Sequence, residues 1–217
     1  MATSAPSERA RVRRAPARAD YDRATIDAIL DEGLVAHLGF AVDGQPYVIP
    51  TLHARIGDEV FIHGSAASRM VTMLGAGLPA CLTVTLIDGL VLARSAFHHS
   101  MNYRSVVVLG TARFVEGPEE RAAALEAFTE KLLPGRWDEV RPPSRQELKG
   151  TRVLALSLDE ASAKVRVGGP VDDAEDYARD TWAGVVPLRL TPGEAQPDER
   201  LRDGIDVAPS VVDWLAS

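Results

Sequence analysis

VFIHGSAASRMVTML, residues 60–74, passes from an apolar strand through a turn of small residues into the first turns of a helix. Such a turn leaves backbone N–H groups at the helix start without intrahelical partners, so it suits an anion. Gly64 lets the chain pass close to a ligand, Ser65 and Ser68 add hydroxyls, and the planar fork of Arg69 can hold two oxygens of one phosphate. The same residues also read as an ordinary capped helix, with Ser65 or Ser68 at the N-cap and Arg69 in solvent.

Upstream, Gln45 to Ala54 alternates Tyr47, Ile49 and Thr51 with Val48, Pro50 and Leu52, and Asp43-Gly44 joins it to Leu34 to Val42 as a hairpin. Pro50 cannot donate to a ladder and so belongs to an edge or a bulge, where neighbouring backbone is open to a ligand. A short helix from Asp22 carries Ile26, Ile29 and Leu30 on one stripe and is closed by Gly33 as a left-handed C-terminal residue. Residues 1–19 set Arg9, Arg11, Arg13, Arg14 and Arg18 against Glu8 alone and read as a flexible basic arm.

Downstream, Ala80 to Leu86 and Leu90 to Arg94 read as a second hairpin about Asp88-Gly89, and Ser105 to Val115 as a β-branched central strand. Gly117-Pro118-Glu119-Glu120 opens a helix whose apolar stripe is Leu125, Phe128 and Leu132. Val140 to Gly150 reads as a loop and a short helix, Thr151 to Leu158 and Thr181 to Leu190 as strands, and 191–217 as a Pro- and Asp-punctuated C-terminal extension. Gly75-Ala76-Gly77-Leu78-Pro79-Ala80 matches a dinucleotide-binding string, but it follows a helix and precedes a strand, the reverse of the required order. Hairpins without βαβ alternation predict a mainly β fold, an antiparallel barrel with peripheral helices over residues 20–190.

Composition narrows the function. A net charge of -7 argues against a nucleic-acid face, which needs many cations to neutralise phosphates. No apolar run reaches the roughly 20 residues of a membrane span, and the start lacks a secretory apolar region, so a soluble cytoplasmic protein is expected. The single Cys81 allows neither an intrachain disulfide nor a thiolate metal cluster and reads as a buried hydrophobe. No histidine pair has metalloenzyme spacing, and no serine has a recognisable base partner.

A second polar constellation lies at ARSAFHHSMNYRSVVVLG, residues 93–110. His98 and His99 are adjacent, so in an extended segment only one of them can face a given cleft. Taken together, IHGSAASR, SMNYRSVVVLG and QPYVIPT resemble the FMN-binding split-barrel family related to pyridoxamine 5'-phosphate oxidase, in particular the flavin-nucleotide-binding branch that contains the nitroimidazole reductases. The resemblance covers residues 11–190 and implies a six-stranded split barrel, a homodimer, and one FMN in each of two clefts between the subunits. It assigns the phosphate to His63, Gly64, Ser65, Ser68 and Arg69, and the ring to the strand Val48, Ile49, Pro50 and Thr51. Polar contacts to flavin or phosphate fall on Tyr103, Arg104 and Ser105.

In the same branch a further segment closes over the cofactor; it corresponds to Lys164 and Arg166, which would meet a phosphate or substrate carboxylate, and to Trp182, which would line the ring. From the residues alone, Lys164 and Arg166 read equally as a solvated strand face and Trp182 as core. Two departures matter: the Ser-Arg-Lys phosphate motif of the oxidases is Ser68-Arg69-Met70 here, and Asp206 to Ser217 has no Arg-containing substrate loop. The implied activity is therefore a reductase's, with hydride passing from a reduced nicotinamide through FMN to a small electrophile. Three alternatives stay open: a haem-binding or haem-degrading split barrel, which needs only one axial histidine; a flavin carrier or sensor; and a deazaflavin in place of FMN.

Overall fold

The computed structural model describes residues 4–216, so residues 1–3 of the basic arm and Ser217 of the extension lie outside the described residues. The strands are β1 (Ala19–Asp20), β2 (Val35–Val42), β3 (Gln45–Ile56), β4 (Glu59–Ser65), β5 (Pro79–Leu92), β6 (Ser100–Thr111), β7 (Arg113–Phe114), β8 (Thr151–Ser157), β9 (Ala161–Arg166) and β10 (Gly184–Pro187). The helices are α1 (Arg23–Glu32), α2 (Arg69–Gly75), α3 (Pro118–Leu132), α4 (Arg145–Gly150) and α5 (Pro209–Ala216). One antiparallel sheet runs β1-β9-β6-β5-β2-β3-β4-β8-β7, with β10 paired to β5. The mainly β, antiparallel split-barrel architecture is as expected. It has more than six strands because β1 and β7, two residues each, are too short to show periodicity, while β9 adds to β6, and β10, the Gly184–Pro187 part of the strand expected over Thr181 to Leu190, adds to β5.

Alternation decides which side chains meet. Leu38, Phe40, Val60, Ile62, Leu82, Val84, Val106, Val108, Leu154 and Leu156 fill the barrel with Ile26, Ile29 and Leu30 of α1 and Val71 and Leu74 of α2. The opposite faces of β4 and β8 carry Phe61, Val153 and Ala155, which pack beneath Ala124 and Phe128 of α3. β3 follows β2 from Gln45 to Leu52 but pairs with β4 only from His53 to Ile56. The end of β4 turns instead to β8, placing Gly64 opposite Arg152 and Ser65 opposite Thr151. The barrel is split there, and the edge of β3 that contains Pro50 lies free of β4.

Several local expectations are corrected. Gly33 is extended, with φ -69° and ψ 127°, and its role is close approach: a Cβ there would stand 2.3 Å from Cγ1 of Val84. Asp88-Gly89 is no hairpin; β5 runs through it with a register shift, and β10 lies so close that a Cβ on Gly89 would meet the Val186 carbonyl at 3.0 Å. Residues from Ser100 to Arg104 extend β6, because β5 offers ladder partners throughout and β9 joins from Tyr103 onward. Leu132 is exposed, so the buried face of α3 is Ala124 and Phe128 with Leu125 beside them. The described part of the arm lies against the barrel: Ala10 is buried, Val12 N–H donates to the Tyr21 hydroxyl at 2.9 Å, Arg9 pairs with Glu160, and β1 adds to β9. No helix among the described residues is long and apolar enough to cross a membrane.

The end of α1 carries a testable feature. Its last carbonyls are satisfied from outside: His53 Nε2 donates to the Leu30 oxygen at 3.0 Å, and Lys131 Nζ donates to Leu30 and Asp31 at 2.6 and 2.8 Å. His53 is 0% exposed. Burial, then the nearby Lys131 cation, push its pKa down to about 4. The folded protein thus keeps a neutral imidazole while the unfolded chain takes a proton below its ordinary value, about 6.5. Stability should be flat above that value, fall as pH drops toward 4, and level off below, with a total loss of about 3 kcal/mol. Denaturant titrations across this window should show His53→Gln lacking most of that slope; an identical slope in both proteins would remove His53 as its source. Burial of His63 also lowers its pKa and acts with the same sign, so the difference between the two proteins is the informative quantity.

Candidate functional site

Two regions meet near the end of β4. The first is the split itself. Gly64 is required because α2 crosses close above it, where a Cβ would be 2.8 Å from Cγ2 of Val71. Ser65 Oγ accepts from Ala67 N–H at 3.3 Å, and Ala66 N–H donates to the Gly150 carbonyl at 2.9 Å, tying the turn to the end of α4. The Ser68 hydroxyl makes no capping bond; the N–H groups of Ala66, Ala67 and Ser68 are taken by Gly150 O, Ser65 Oγ and Ser65 O, while those of residues 69–71 precede the first intrahelical donor, Thr72 N–H to Ser68 O. Arg69 reaches across the split toward β3: Nη1 donates to the Tyr47 hydroxyl at 3.2 Å, and the guanidinium stands 5.6 Å from the ring centroid. Tyr47 in turn stacks on Phe40. Val48, which is 66% exposed, and Pro50 point outward from the same strand, while Ile49 and Thr51 are half-buried. Gly64, Ser65, Ser68 and Arg69 are thus brought together with the free edge carrying Val48 to Thr51.

His63 is not turned toward that group. Two residues beyond Phe61, it shares the α3 face of β4, and its ring lies 4.5 Å from that of Phe128. Nδ1 is buried without a hydrogen-bond partner, and burial holds the pKa below the usual histidine value, so the ring is neutral at pH 7. His63 lines the second region, a cavity of about 430 Å³ walled by Leu125, Trp137, Val140 and Leu148, with the Arg141–Glu147 ion pair also at the lining. Sequence reading missed these wall residues; Trp137, just past the Pro134-Gly135 helix stop, was the available signal. Of the other histidines, His53 is committed to α1, His98 faces Asp173 at 3.2 Å, His99 faces the Ser95 carbonyl at 2.9 Å, and His37 is exposed on β2.

The remaining expected site residues lie elsewhere in the protomer. Arg104 is held by the carboxylates of Glu32 and Asp88, which raise its pKa and leave it fully charged. Ser105 donates to the Lys164 carbonyl at 3.3 Å, and Tyr103 lies opposite Arg166 in the ladder. Arg166 is buried: Nη1 donates to Asn102 Oδ1 at 2.5 Å, Nη2 to the Gly169 carbonyl at 3.2 Å, and Nε has no partner. Burial and then Arg18 lower its pKa. In the sheet, β5, β2 and β3 separate β6 and β9 from β4. Trp182 is not core; it is 66% exposed and covers Gly184.

Comparison with known proteins agrees with this architecture. The flavocytochrome Anf3 from Azotobacter vinelandii superimposes with a TM-score of 0.91 at 42% identity, over 97% of this chain and 98% of that one. A FAD- and haem-binding protein from Mycobacterium smegmatis gives 0.87 at 37%, over 90% and 96%. A 5-nitroimidazole antibiotic resistance protein from Bacteroides thetaiotaomicron gives 0.57 at 22%, over 68% and 86%, and shares the fold. No curated protein matches the chain. The family model for pyridoxamine 5'-phosphate oxidase matches residues 22–165, and with the two close structural relatives this shows that the chain belongs to the pyridoxamine 5'-phosphate oxidase family.

Proposed function

We propose that the chain is a flavin- and haem-binding oxidoreductase of the cytoplasm that works as a homodimer. The single observation that carries this reading is the presence of two chemically different sites in one protomer. The split offers an anion-binding turn beside a free strand edge, and the α3 side offers a neutral histidine at an apolar cavity. The names of the two close relatives, a flavocytochrome and a FAD- and haem-binding protein, support the same pairing. Ser65, Ser68 and Arg69 would hold the flavin phosphate, whether of FMN or FAD, with Val48 to Thr51 along the ring. His63 would hold the haem, since neutral imidazole is the ligating form and the ring stands at the cavity. Bound flavin supplies hydride acceptance, here from a reduced nicotinamide, and bound haem supplies one-electron chemistry.

A second copy is part of the proposal. The outward face of β2, β3 and β5 sets Gly39 between Val48 and Cys81 and His37 between Pro50 and Thr83, a flat, largely uncharged surface suited to a symmetric contact. Tyr103, Lys164 and Trp182 do not reach the split of their own protomer, and in this reading they are what a partner docked there would contribute to it; Arg166, buried and held by Asn102 and Gly169, stays structural.

The test is the visible spectrum of freshly purified protein, with extraction and mass identification of what it binds. Flavin bands together with a Soret band are expected, and anaerobic NADH or NADPH should bleach the flavin. A flavin that stays oxidised under both nicotinamides would make the chain a carrier. Protein that takes up neither added flavin nor added haem would overturn the proposal.

A further inference from the structure

A basic cluster adjoins the His63 cavity and is not used by anything described so far. Arg121 from the start of α3, Arg145 and Lys149 from α4, and Arg152 from β8 line a cavity of about 330 Å³ with Leu148. None of the four has a carboxylate within ion-pairing distance among the described residues. The pattern nearby is the opposite: Arg113 is paired with Glu59 and Glu120, Arg136 with Glu139, and Arg141 with Glu147. In a chain of net charge -7, acids are plentiful, yet none lines this cavity, and Glu147 on the same helix is taken by Arg141. Four like charges around one concavity repel one another unless an anion sits among them.

The mounting of these cations is rigid. Ser144 and Glu147 form a reciprocal capping box at the start of α4, with Glu147 N–H donating to Ser144 Oγ at 3.3 Å and Ser144 N–H to Glu147 Oε2 at 2.6 Å. Arg145 and Lys149 are four apart and share one face of that helix. Leu148 lines both this cavity and the one containing His63, so the two are neighbours across a single side chain. An open, partly apolar cavity with a neutral histidine and the Arg141–Glu147 pair at its lining, bordered by a basic pocket, suits an amphipathic ligand such as a planar tetrapyrrole whose edge carries two carboxylates.

We propose that Arg121, Arg145, Lys149 and Arg152 form the propionate-binding end of the haem site. This rests on the haem reading above and names the residues that would recognise the porphyrin's acidic edge. A free phosphate or an acidic partner protein would be attracted by the same charge, but neither accounts for the adjacent histidine cavity.

The full chain is titrated with haem and with haem dimethyl ester, whose carboxylates are masked, and the Soret band is followed. Wild-type protein should bind haem about 100-fold more tightly than the ester, from two charge-assisted contacts at about tenfold each. Arg145→Gln/Lys149→Gln/Arg152→Gln, all exposed positions, should lose that preference and weaken haem by the same factor while the Soret maximum stays in place. Equal affinity for haem and ester in the wild type, or a preference that survives in the triple variant, overturns the cation assignment alone. A wild type that gives no Soret band with either porphyrin overturns both this inference and the haem reading beneath it.

Discussion

His63→Gln is expected to remove the Soret band from the purified protein while leaving its flavin absorption in place. The two sites draw on opposite faces of β4, so a change on the α3 face should not reach the turn that follows Gly64. Loss of outer-shell partners alone costs metal sites about 10- to 100-fold, so if His63 holds the haem, loss of its imidazole should exceed about 100-fold in haem affinity. The fold should survive, because what the ring gives the protein is one tilted contact with Phe128, worth about 1 kcal/mol. His63→Gly supplies a sharper form of the same experiment. It opens room for added imidazole, which should restore the band at millimolar concentration if the missing nitrogen is the whole defect. A Soret band of unchanged position and affinity in His63→Gln would move the ligand elsewhere, and exposed His37 on β2 would be the next residue to replace.

The contrast between β4's two faces also explains what the sequence made legible. The apolar run Val60 to Ile62, alternation in Leu38 to Phe40, and the turn at Asp43 and Gly44 with φ of 50° and 80°, are local signals, and they correspond to the observed strands and hairpin. The turn from Gly64 to Arg69 is equally local. His63 is different: its neighbours in sequence place it at the turn, but its side chain belongs to a cavity closed by α3 and the segment after it, some seventy residues downstream. Gly33 and Asp88-Gly89 failed for a related reason. Each resembles a turn residue, yet each is small because another element passes over it, Val84 in one case and β10 in the other. Arg104 reads as a ligand for an anion and is instead claimed by Glu32 and Asp88, carboxylates distant in sequence from it or brought near by a bulge. The unpaired cations of α4 and β8 went unread because charge pairing is a three-dimensional property; a run such as Arg145 to Arg152 shows which charges exist but not which of them find partners.

Arg69→Ala combined with Ser68→Ala should yield protein that loses its flavin during purification. Arg69 brings the one cation of the turn, and a charge-assisted hydrogen bond to phosphate is worth about 1.5–3 kcal/mol, with the serine hydroxyl adding about 1 kcal/mol. The sum, about 3 kcal/mol, is more than a hundredfold in Kd. Part of the observed loss could arise from the apo side, since Arg69 is already held by Tyr47 through a 3.2 Å hydrogen bond and by its ring face. Tyr47→Phe separates the two contributions: it removes the hydroxyl and keeps the ring, so it frees the guanidinium without discharging it. If Arg69 acts on phosphate, Tyr47→Phe should leave flavin affinity within about threefold of wild type, an effect below 1 kcal/mol. If instead Arg69 merely braces β3, both variants should weaken flavin alike. Recovery of flavin fluorescence on dilution gives each Kd directly, provided that flavin held against Tyr47 and the strand edge, as proposed, is quenched relative to free flavin. Unchanged affinity in the double variant would take the phosphate away from this turn, and with it the reason the free edge of β3 stays unpaired.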